Sequence, residues 1–475
     1  MVLLDAAQRA RAAGVLVGMA AGDALGAPLE FGPPLPPDAV VAMTGGGAFG
    51  WEPGEWTDDT AMSVALAEVV AAGHDLRDEQ ALDAVVVRWA GWAHGAKDVG
   101  VQTRQVLSVA SPTAATVGAA ARDLHARTGR TGGNGSLMRT APVALAHLDD
   151  PVALADAAAR VSALTHVDQD AGEACVLWCL AIRHAVLTGE LDLRSGLDAW
   201  PAERARVWRD RIDAAERSTP DRFMQNGWVV EALQAAWCAI ATTPVGGPAH
   251  LRRALEAAVR GGRDTDTVAA IAGALLGAAH GVTAVPAGWR RVLHGWPGVR
   301  ADDLVQLGLH CVGDRGWGDV DYSGWGHTDA LVRHPHDDGV WLGGVGALDH
   351  LPAEVDAVVS LCRIGPHQVP SRIGADDRVS VWLVDSDDPA ENPQLPFVLA
   401  DTVDVVRSLR AAGRTVFLHC VQAHTRTPTV AALYGATVHG LPVGEALADV
   451  VATLPHANVD RARRLLQRAT ENRTA

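Results

Sequence analysis

Thr57, Asp58 and Asp59 stand together in Trp56-Thr57-Asp58-Asp59-Thr60, and Asp264, Asp266 and Thr267 stand together in Gly262-Arg263-Asp264-Thr265-Asp266-Thr267. Each run leads into an apolar helical pattern, with Met62, Leu66 and Val69 after the first and Val268, Ile271 and Leu275 after the second. The spacing predicts that each run forms the first turn of a helix, where a carboxylate or hydroxyl can leave the backbone and face a neighbour. Hard oxygen donors of this kind suit Mg²⁺ or Mn²⁺ rather than zinc. Brought together, the two runs could hold two such ions roughly 3.5–4 Å apart, with water completing each shell. The competing reading is helix capping, for which threonine and aspartate are favoured. Capping does not need so much acid, and the adjacent Asp58 and Asp59 repel each other unless something compensates.

A second chemistry is written in His419-Cys420-Val421-Gln422-Ala423-His424-Thr425-Arg426-Thr427. The apolar run 415–418 reads as a strand and 428–438 as a helix, so Cys420 and Arg426 bracket a strand-to-helix loop. Successive N–H groups of such a loop, with the helix N-terminus, form an anion cradle. Arg426 can grip two phosphate oxygens with its planar fork. The same positive field favours the thiolate of Cys420, the nucleophilic form. The Thr427 hydroxyl can stabilise that thiolate or help release it. Phosphoester cleavage also needs an acid for the leaving oxygen. Asp385, in Asp385-Ser386-Asp387-Asp388 after the apolar run 379–383, is the first choice and Asp388 the second. The competing reading is a buried cysteine with an unrelated arginine.

The elements that must position these residues follow two regimes. Residues 1–312 carry alanine, valine and leucine at helical spacing, with helices read at 153–165, 171–187, 202–217 and 228–241 and no period-2 strand. The expectation there is an all-α domain. The stretch 313–330 turns to glycine, aspartate and tryptophan and is read as a linker. Residues 331–475 alternate apolar runs at 340–342, 357–361, 379–383 and 415–418 with helical stretches at 397–411, 428–438 and 444–453. This predicts an α/β domain, with Thr470–Ala475 fraying. The 475-residue length fits such a division, and 48% hydrophobic residues suffice for a sizeable core. A net charge of −16 argues against nucleic-acid or anionic-membrane surfaces. The six cysteines are scattered, so neither a disulfide framework nor a zinc site is expected. No leader-like N-terminus and no run of about 18 apolar residues is found. The expectation is a cytoplasmic protein with no membrane partner.

Further polar, glycine-rich segments accompany the first chemistry: Gly22-Asp23-Ala24-Leu25-Gly26, Glu30-Phe31, Gly133-Asn134-Gly135-Ser136-Leu137-Met138-Arg139, Thr165-His166 and Asn226-Gly227-Trp228. The 131–136 loop precedes a helix, so its N–H groups could bind a diphosphate. Alone, each segment reads as a turn and His166 as a core or capping histidine. In this order, over about 9–305, they resemble the ADP-ribosylglycohydrolase family, which includes the dinitrogenase reductase-activating enzymes. The resemblance implies an all-α fold with a binuclear Mg²⁺ or Mn²⁺ site that hydrolyses the bond between ADP-ribose and an acceptor. It implies that Thr57, Asp58, Asp59, Asp264, Asp266 and Thr267 are metal ligands, with Asp59 also at the reacting centre. Glu30 is then the carboxylate near the metals and the reacting bond. Asn134, Gly135, Ser136 and His166 line the ADP-ribose site, and Trp228 stands where the family often has an aromatic ring.

Residues 331–472 resemble the dual-specificity, cysteine-dependent phosphatases. That resemblance implies an α/β fold with a central, mostly parallel sheet and a thiolate site that needs no cofactor. One departure is Ala423, where the family usually has glycine; a methyl restricts positive φ there and reshapes the loop. The reading is a bifunctional hydrolase. Its first domain acts on an ADP-ribosylated protein or small molecule, and its second on a phosphorylated substrate, such as a phosphorylated ADP-ribose derivative. The alternative is a glycohydrolase whose C-terminal part is a protein phosphatase or a non-catalytic phosphate-binding module.

Overall fold

The computed structural model describes residues 3–244, 246–316, 318–323, 329–454 and 456–471. The chain forms two compact units, Met1–Val285 with Val292–Trp317, and Pro286–Arg291 with Gly318–Ala475.

The first unit is helical apart from a minimal hairpin of β1 (His294–Gly295) and β2 (Val299–Arg300). Its centre is α1 (Ala6–Gly26), whose N-cap Asp5 and Gln8 form a reciprocal capping box. Against it lies the helix Thr265–His280. Glycine recurs every fourth residue on one face of α1, at Gly14, Gly18, Gly22 and Gly26, and residues four apart share a face. A Cβ on Gly18 would stand 2.3 Å from the Gly273 carbonyl oxygen, and one on Gly277 would stand 2.0 Å from that of Gly14. The two backbones can touch only because neither side carries a side chain there. This contact carries the loop after α1 to the start of the Thr265 helix. The second acidic helix, α2 (Asp58–Ala71), starts where the sequence predicts, and Asp58 and Asp59 occupy its first turn. The carboxylates there complement the helix dipole.

Among the described residues, two helices, α1 with its continuation to Leu29 and Gln169–Thr188, are long and apolar enough by composition to cross a membrane, and 89% and 56% of their apolar windows are buried inside the fold. The sequence reading found no such run. A helix wrapped on all sides by other helices needs the same composition.

The second unit is built on a five-stranded sheet of order β3-β4-β7-β5-β6. The strands are β3 (Leu331–His334), β4 (Asp337–Gly344), β5 (Ala357–Ser360), β6 (Arg378–Ser380) and β7 (Val416–Cys420). Only the β3–β4 pair is antiparallel. The sheet is the expected mostly parallel one, and β5 and β7 are buried along their whole length. The expected strand 379–383 is shorter: β6 ends at Ser380, and the Leu383 carbonyl is taken by Arg426 instead of a ladder partner.

Part of the expected linker is not a free connection. Val320 N–H donates to the Arg363 carbonyl at 2.7 Å, and Tyr322 is buried among Val345, Leu348 and Val358. An aromatic ring amid Gly and Asp finds a core. Trp317 and Gly324–Thr328 of that linker, and residues 472–475 of the expected fraying end, lie outside the described residues.

Candidate active sites

In the first unit, a backbone bridge places two acidic residues side by side. Phe31 N–H donates to the Arg263 carbonyl at 2.6 Å, and Arg263 N–H donates to Gly32 at 2.7 Å. Phe31 (φ 64°) and Arg263 (φ 66°) both sit in the left-handed region. That region is costly for side chains of this size, and such strain gathers at functional sites. The residues next to them are Glu30 and Asp264. Carboxylate oxygens of Glu30, Asp264 and Asp266 lie within 4.8 Å of one another, as do those of Asp23, Asp59 and Asp266. The two runs singled out in the sequence therefore converge. Thr57 Oγ1 is 3.1 Å from Asp59 Oδ2 and 3.4 Å from Asp266 Oδ2, and Thr267 Oγ1 is 3.4 Å from Asp59 Oδ2. Asp58 lies across from the Gly100 backbone and is acted on electrostatically by Asp98.

Burial, reinforced by neighbouring carboxylates, pushes Glu30 up to about 9 and Asp58 up to about 8, and raises Asp59 and Asp266 well above the usual carboxylate range. Glu30 Oε2, Asp59 Oδ1 and Asp266 Oδ1 are buried without a hydrogen-bond partner. Orphaned carboxylate oxygens crowded beside threonine hydroxyls are a donor set for hard divalent cations. The residues present fit a metal centre.

Sequence reasoning gave Asp23 no role. Buried in the last turn of α1, it accepts from Thr57 N–H (2.9 Å), Thr60 N–H (3.0 Å) and the Thr60 hydroxyl (2.6 Å), which fixes the first turn of α2. The signal was present as a lone aspartate in an apolar helical run. Asp98, part of the same electrostatic group, had no local signal.

The 131–136 loop pairs with 226–229: Asn134 N–H donates to Gly227 and Val229 N–H to Gly132. Asn134 therefore spends its own N–H on protein, and its side-chain amide donates to Asp264 Oδ2 at 2.8 Å and to the Asn226 carbonyl at 2.9 Å. Asn134 orients an acidic residue as well as lining the loop. Ser136 is placed differently from the expectation: its hydroxyl is fully buried and accepts from Cys175 Sγ at 3.5 Å. The small Ser side chain fits the core under the loop, so any ligand contact there falls to its backbone. Gly135 and Gly133 face the His166 ring, and Trp228 is 40% exposed beside Gly133. Phe31, 66% exposed, meets Phe49 edge-on at 6.3 Å, and Phe49 meets Trp51 at 6.0 Å, which makes an aromatic row next to Glu30.

In the second unit Cys420 ends β7, in register with Gly344 of β4, and Arg426 opens the helix Arg426–His439. Arg426 Nη1 donates to the carbonyls of Leu361 (2.8 Å) and Leu383 (2.9 Å), which pins the guanidinium from behind. Its Nε and the Thr425 hydroxyl are buried without hydrogen-bond partners. Two orphaned donors in a loop of free N–H groups are suited to an anion. Thr427 turns its hydroxyl to the Gly343 carbonyl at 3.3 Å. Ala423 keeps φ at 58° with its methyl fully buried, so the loop retains the left-handed turn that alanine was expected to disturb. Burial lowers His419 to about 4, and the neutral ring shares a 2.7 Å hydrogen bond with Ser360 and stacks on Phe417 beneath the loop. Asp385 lines a small crevice with Thr425, and its Oδ1, 3.8 Å from Arg461, has no hydrogen-bond partner. Asp388 instead accepts from Ala390 N–H within its own turn, so Asp385 is the freer carboxylate.

A family model described as ADP-ribosylglycohydrolase matches residues 4–317. The chain is 31% identical over 285 residues to the ADP-ribosylarginine hydrolase Tri1 of Pseudomonas putida (strain GB-1), covering 59% of this chain and 73% of that protein. A solved structure described as an ADP-ribosylglycohydrolase-related protein complex is similar at 29% identity and a TM-score of 0.50, covering 65% of this chain and 99% of that one. For the C-terminal region the structural neighbours are dual-specificity phosphatases. A crystal structure of human DUSP28 is 24% identical with a TM-score of 0.25, over 33% of this chain and 99% of that one.

Proposed function

Because the chain belongs to the ADP-ribosylglycohydrolase family, we propose that its first unit hydrolyses the bond between ADP-ribose and an arginine side chain with two Mg²⁺ or Mn²⁺ ions. The observation that carries this reading is the convergence of Glu30, Asp59, Asp264 and Asp266, with a buried, orphaned oxygen on each of Glu30, Asp59 and Asp266. Thr57, Asp58, Asp59, Asp264, Asp266 and Thr267 would hold the ions, which when bound anchor the ribose diol and polarise the attacking water. Glu30 takes a proton from that water as it adds to the ribose carbon. The bond to the guanidino nitrogen breaks through an oxocarbenium-like state, and the proton ends on the leaving nitrogen. The relatives named for ADP-ribosylarginine support the acceptor class. So does Phe31, an exposed ring beside Glu30 of the kind on which a planar cation stacks. The test is release of ADP-ribose from an ADP-ribosylarginine peptide with and without chelator. Unchanged metal-dependent release by Asp58→Ala or Asp266→Ala would sink the assignment.

For the second unit we propose thiolate-dependent phosphomonoester hydrolysis. Cys420 Sγ bonds to phosphorus as the ester P–O bond breaks and Asp385 gives its proton to the leaving oxygen; water then bonds to phosphorus, its proton going to Asp385, and the S–P bond breaks to return the thiolate and free phosphate. Arg426 Nε and the Thr425 hydroxyl support this reading as unused donors for the transferred group. Phosphate release is measured from ADP-ribose 1″-phosphate and from phosphotyrosine peptides, with Cys420→Ser as control. Activity on the peptides alone removes the small-molecule version. A phosphate-binding function that survives Cys420→Ser but not Arg426→Ala makes this unit a binding module.

A further inference from the structure

His166 is almost fully buried, and its ring faces two glycines: a Cβ on Gly133 would lie 3.4 Å from Nε2, and one on Gly135 would lie 3.2 Å from it. Only glycine leaves that edge clear. The other ring nitrogen, Nδ1, lies 2.7 Å from Thr165 Oγ1, and Thr165 Oγ1 lies 2.6 Å from Arg139 Nη2. A guanidinium only donates, so Arg139 fills an acceptor position on the Thr165 oxygen. The hydroxyl proton then points along its other short contact, to Nδ1, which must be unprotonated to receive it. Thr165 is fully buried. A proton on Nδ1 would leave the hydroxyl hydrogen with no acceptor, at the cost of a buried unmade hydrogen bond. Arg139 is itself fixed, fully buried with its guanidinium 3.9 Å over the Trp89 ring. Gln102 Nε2 holds the Thr165 carbonyl at 2.7 Å.

We propose that Arg139 and Thr165 are positioning residues that lock His166 as a neutral imidazole with its proton on Nε2, so that it can only donate a hydrogen bond, to an oxygen of the ADP-ribosyl group held at the Gly133–Asn134–Gly135 loop. The ligand half rests on the function proposed above; the relay half does not. His166 is then no proton carrier for the reaction, and that work stays with Glu30. Burial and the nearby Arg139 charge, which push the ring down to about 3, agree with this. Binding at this edge should not titrate between pH 5.5 and 8.

The test uses the full chain with Mg²⁺, labelled with ¹⁵N-histidine. The His166 ring nitrogens, assigned with His166→Gln, are followed from pH 5.5 to 8, and ADP-ribose binding is measured by calorimetry. The expected spectrum is a neutral Nε2–H ring, unchanged with pH in wild type and in Thr165→Ser. Thr165→Val, which lacks the hydroxyl, should show the other tautomer and bind ADP-ribose about tenfold more weakly. An Nδ1–H ring or an imidazolium in wild type overturns the relay without any variant having to fold. A Thr165→Val protein with the native spectrum overturns it as well. An Nε2–H ring with no affinity for ADP-ribose overturns the ligand half and the glycohydrolase reading together, and leaves the relay standing.

Discussion

Ala423 carries a methyl where its backbone is left-handed, at φ 58°. For an L-residue that conformation costs roughly 1–2 kcal/mol. Ala423→Gly is expected to raise the stability of the second unit by about 1 kcal/mol in denaturant unfolding; a loss would mean that packing of the buried methyl outweighs the strain. Arg426→Lys should abolish phosphate release, because an ammonium cannot brace both the Leu361 and Leu383 carbonyls and still face an anion with a fork. Residual kcat near wild type would refute that. At this scale the sequence was readable where residue type and spacing implied a placement: Thr57, Asp59 and Asp266 converge, and Cys420 and Arg426 bracket one strand-to-helix loop. It was unreadable where work depends on a partner far along the chain. Asn134 turns to Asp264, and Ser136 turns away to Cys175; nothing in Gly-Asn-Gly-Ser says which side chain faces the loop.

Many helices and strands were legible by period, while the helices Ala6–Gly26, Glu79–Ala93, Ala114–Thr128 and Ala249–Arg260 went unread and strand ends were not legible. The acidic helix starts came out where predicted because the dipole favours acid in a first turn. The strand read at 379–383 was cut short by a side chain, Arg426, that competes for its carbonyl. The glycine face of α1 was visible as a spacing, yet its partner was not, since small residues pack on any close backbone. Gly18→Ala forces a Cβ to within 2.3 Å of the Gly273 oxygen. It should lower the first unit's stability by several kcal/mol or block folding, and it should cut glycohydrolase activity more than phosphatase activity. The ratio of the two activities in the soluble fraction checks this.

At the scale of the whole molecule, two units for which unlike chemistry is proposed share one chain, and the residues of each candidate site lie within one unit. Their conditions should therefore separate. Chelator should stop ADP-ribose release and leave phosphate release intact, measured on one preparation. The first unit's acid cluster also makes a pH signature. Asp23, Asp58 and Glu30 have folded values raised to about 6, 8 and 9 without ions, above the ordinary value near 4 of the unfolded chain. The folded form binds more protons, so stability present at low pH is lost as pH rises through that window. Melting with chelator against excess Mg²⁺ should give a gap that widens from pH 5.5 to 8.5; a constant gap would place the ions elsewhere. The boundary between the units was the least legible feature, since a Gly- and Asp-rich stretch looks like a tether until Tyr322 finds its core.

The glycine seam between α1 and the Thr265 helix has an ambiguity built into its regularity. A sliding step of four residues, about 6 Å along the axis, would set Gly18 against Gly277 and Gly22 against Gly273, glycine again on glycine. Steric fit at these two glycine crossings does not tell the native alignment from its neighbour. Asp23 does, because after one step its carboxylate would leave the Thr57 and Thr60 N–H groups and be stranded in an apolar wall. The buried acid beside the carboxylate cluster thus serves as the index mark on a ruler whose two glycine crossings are alike.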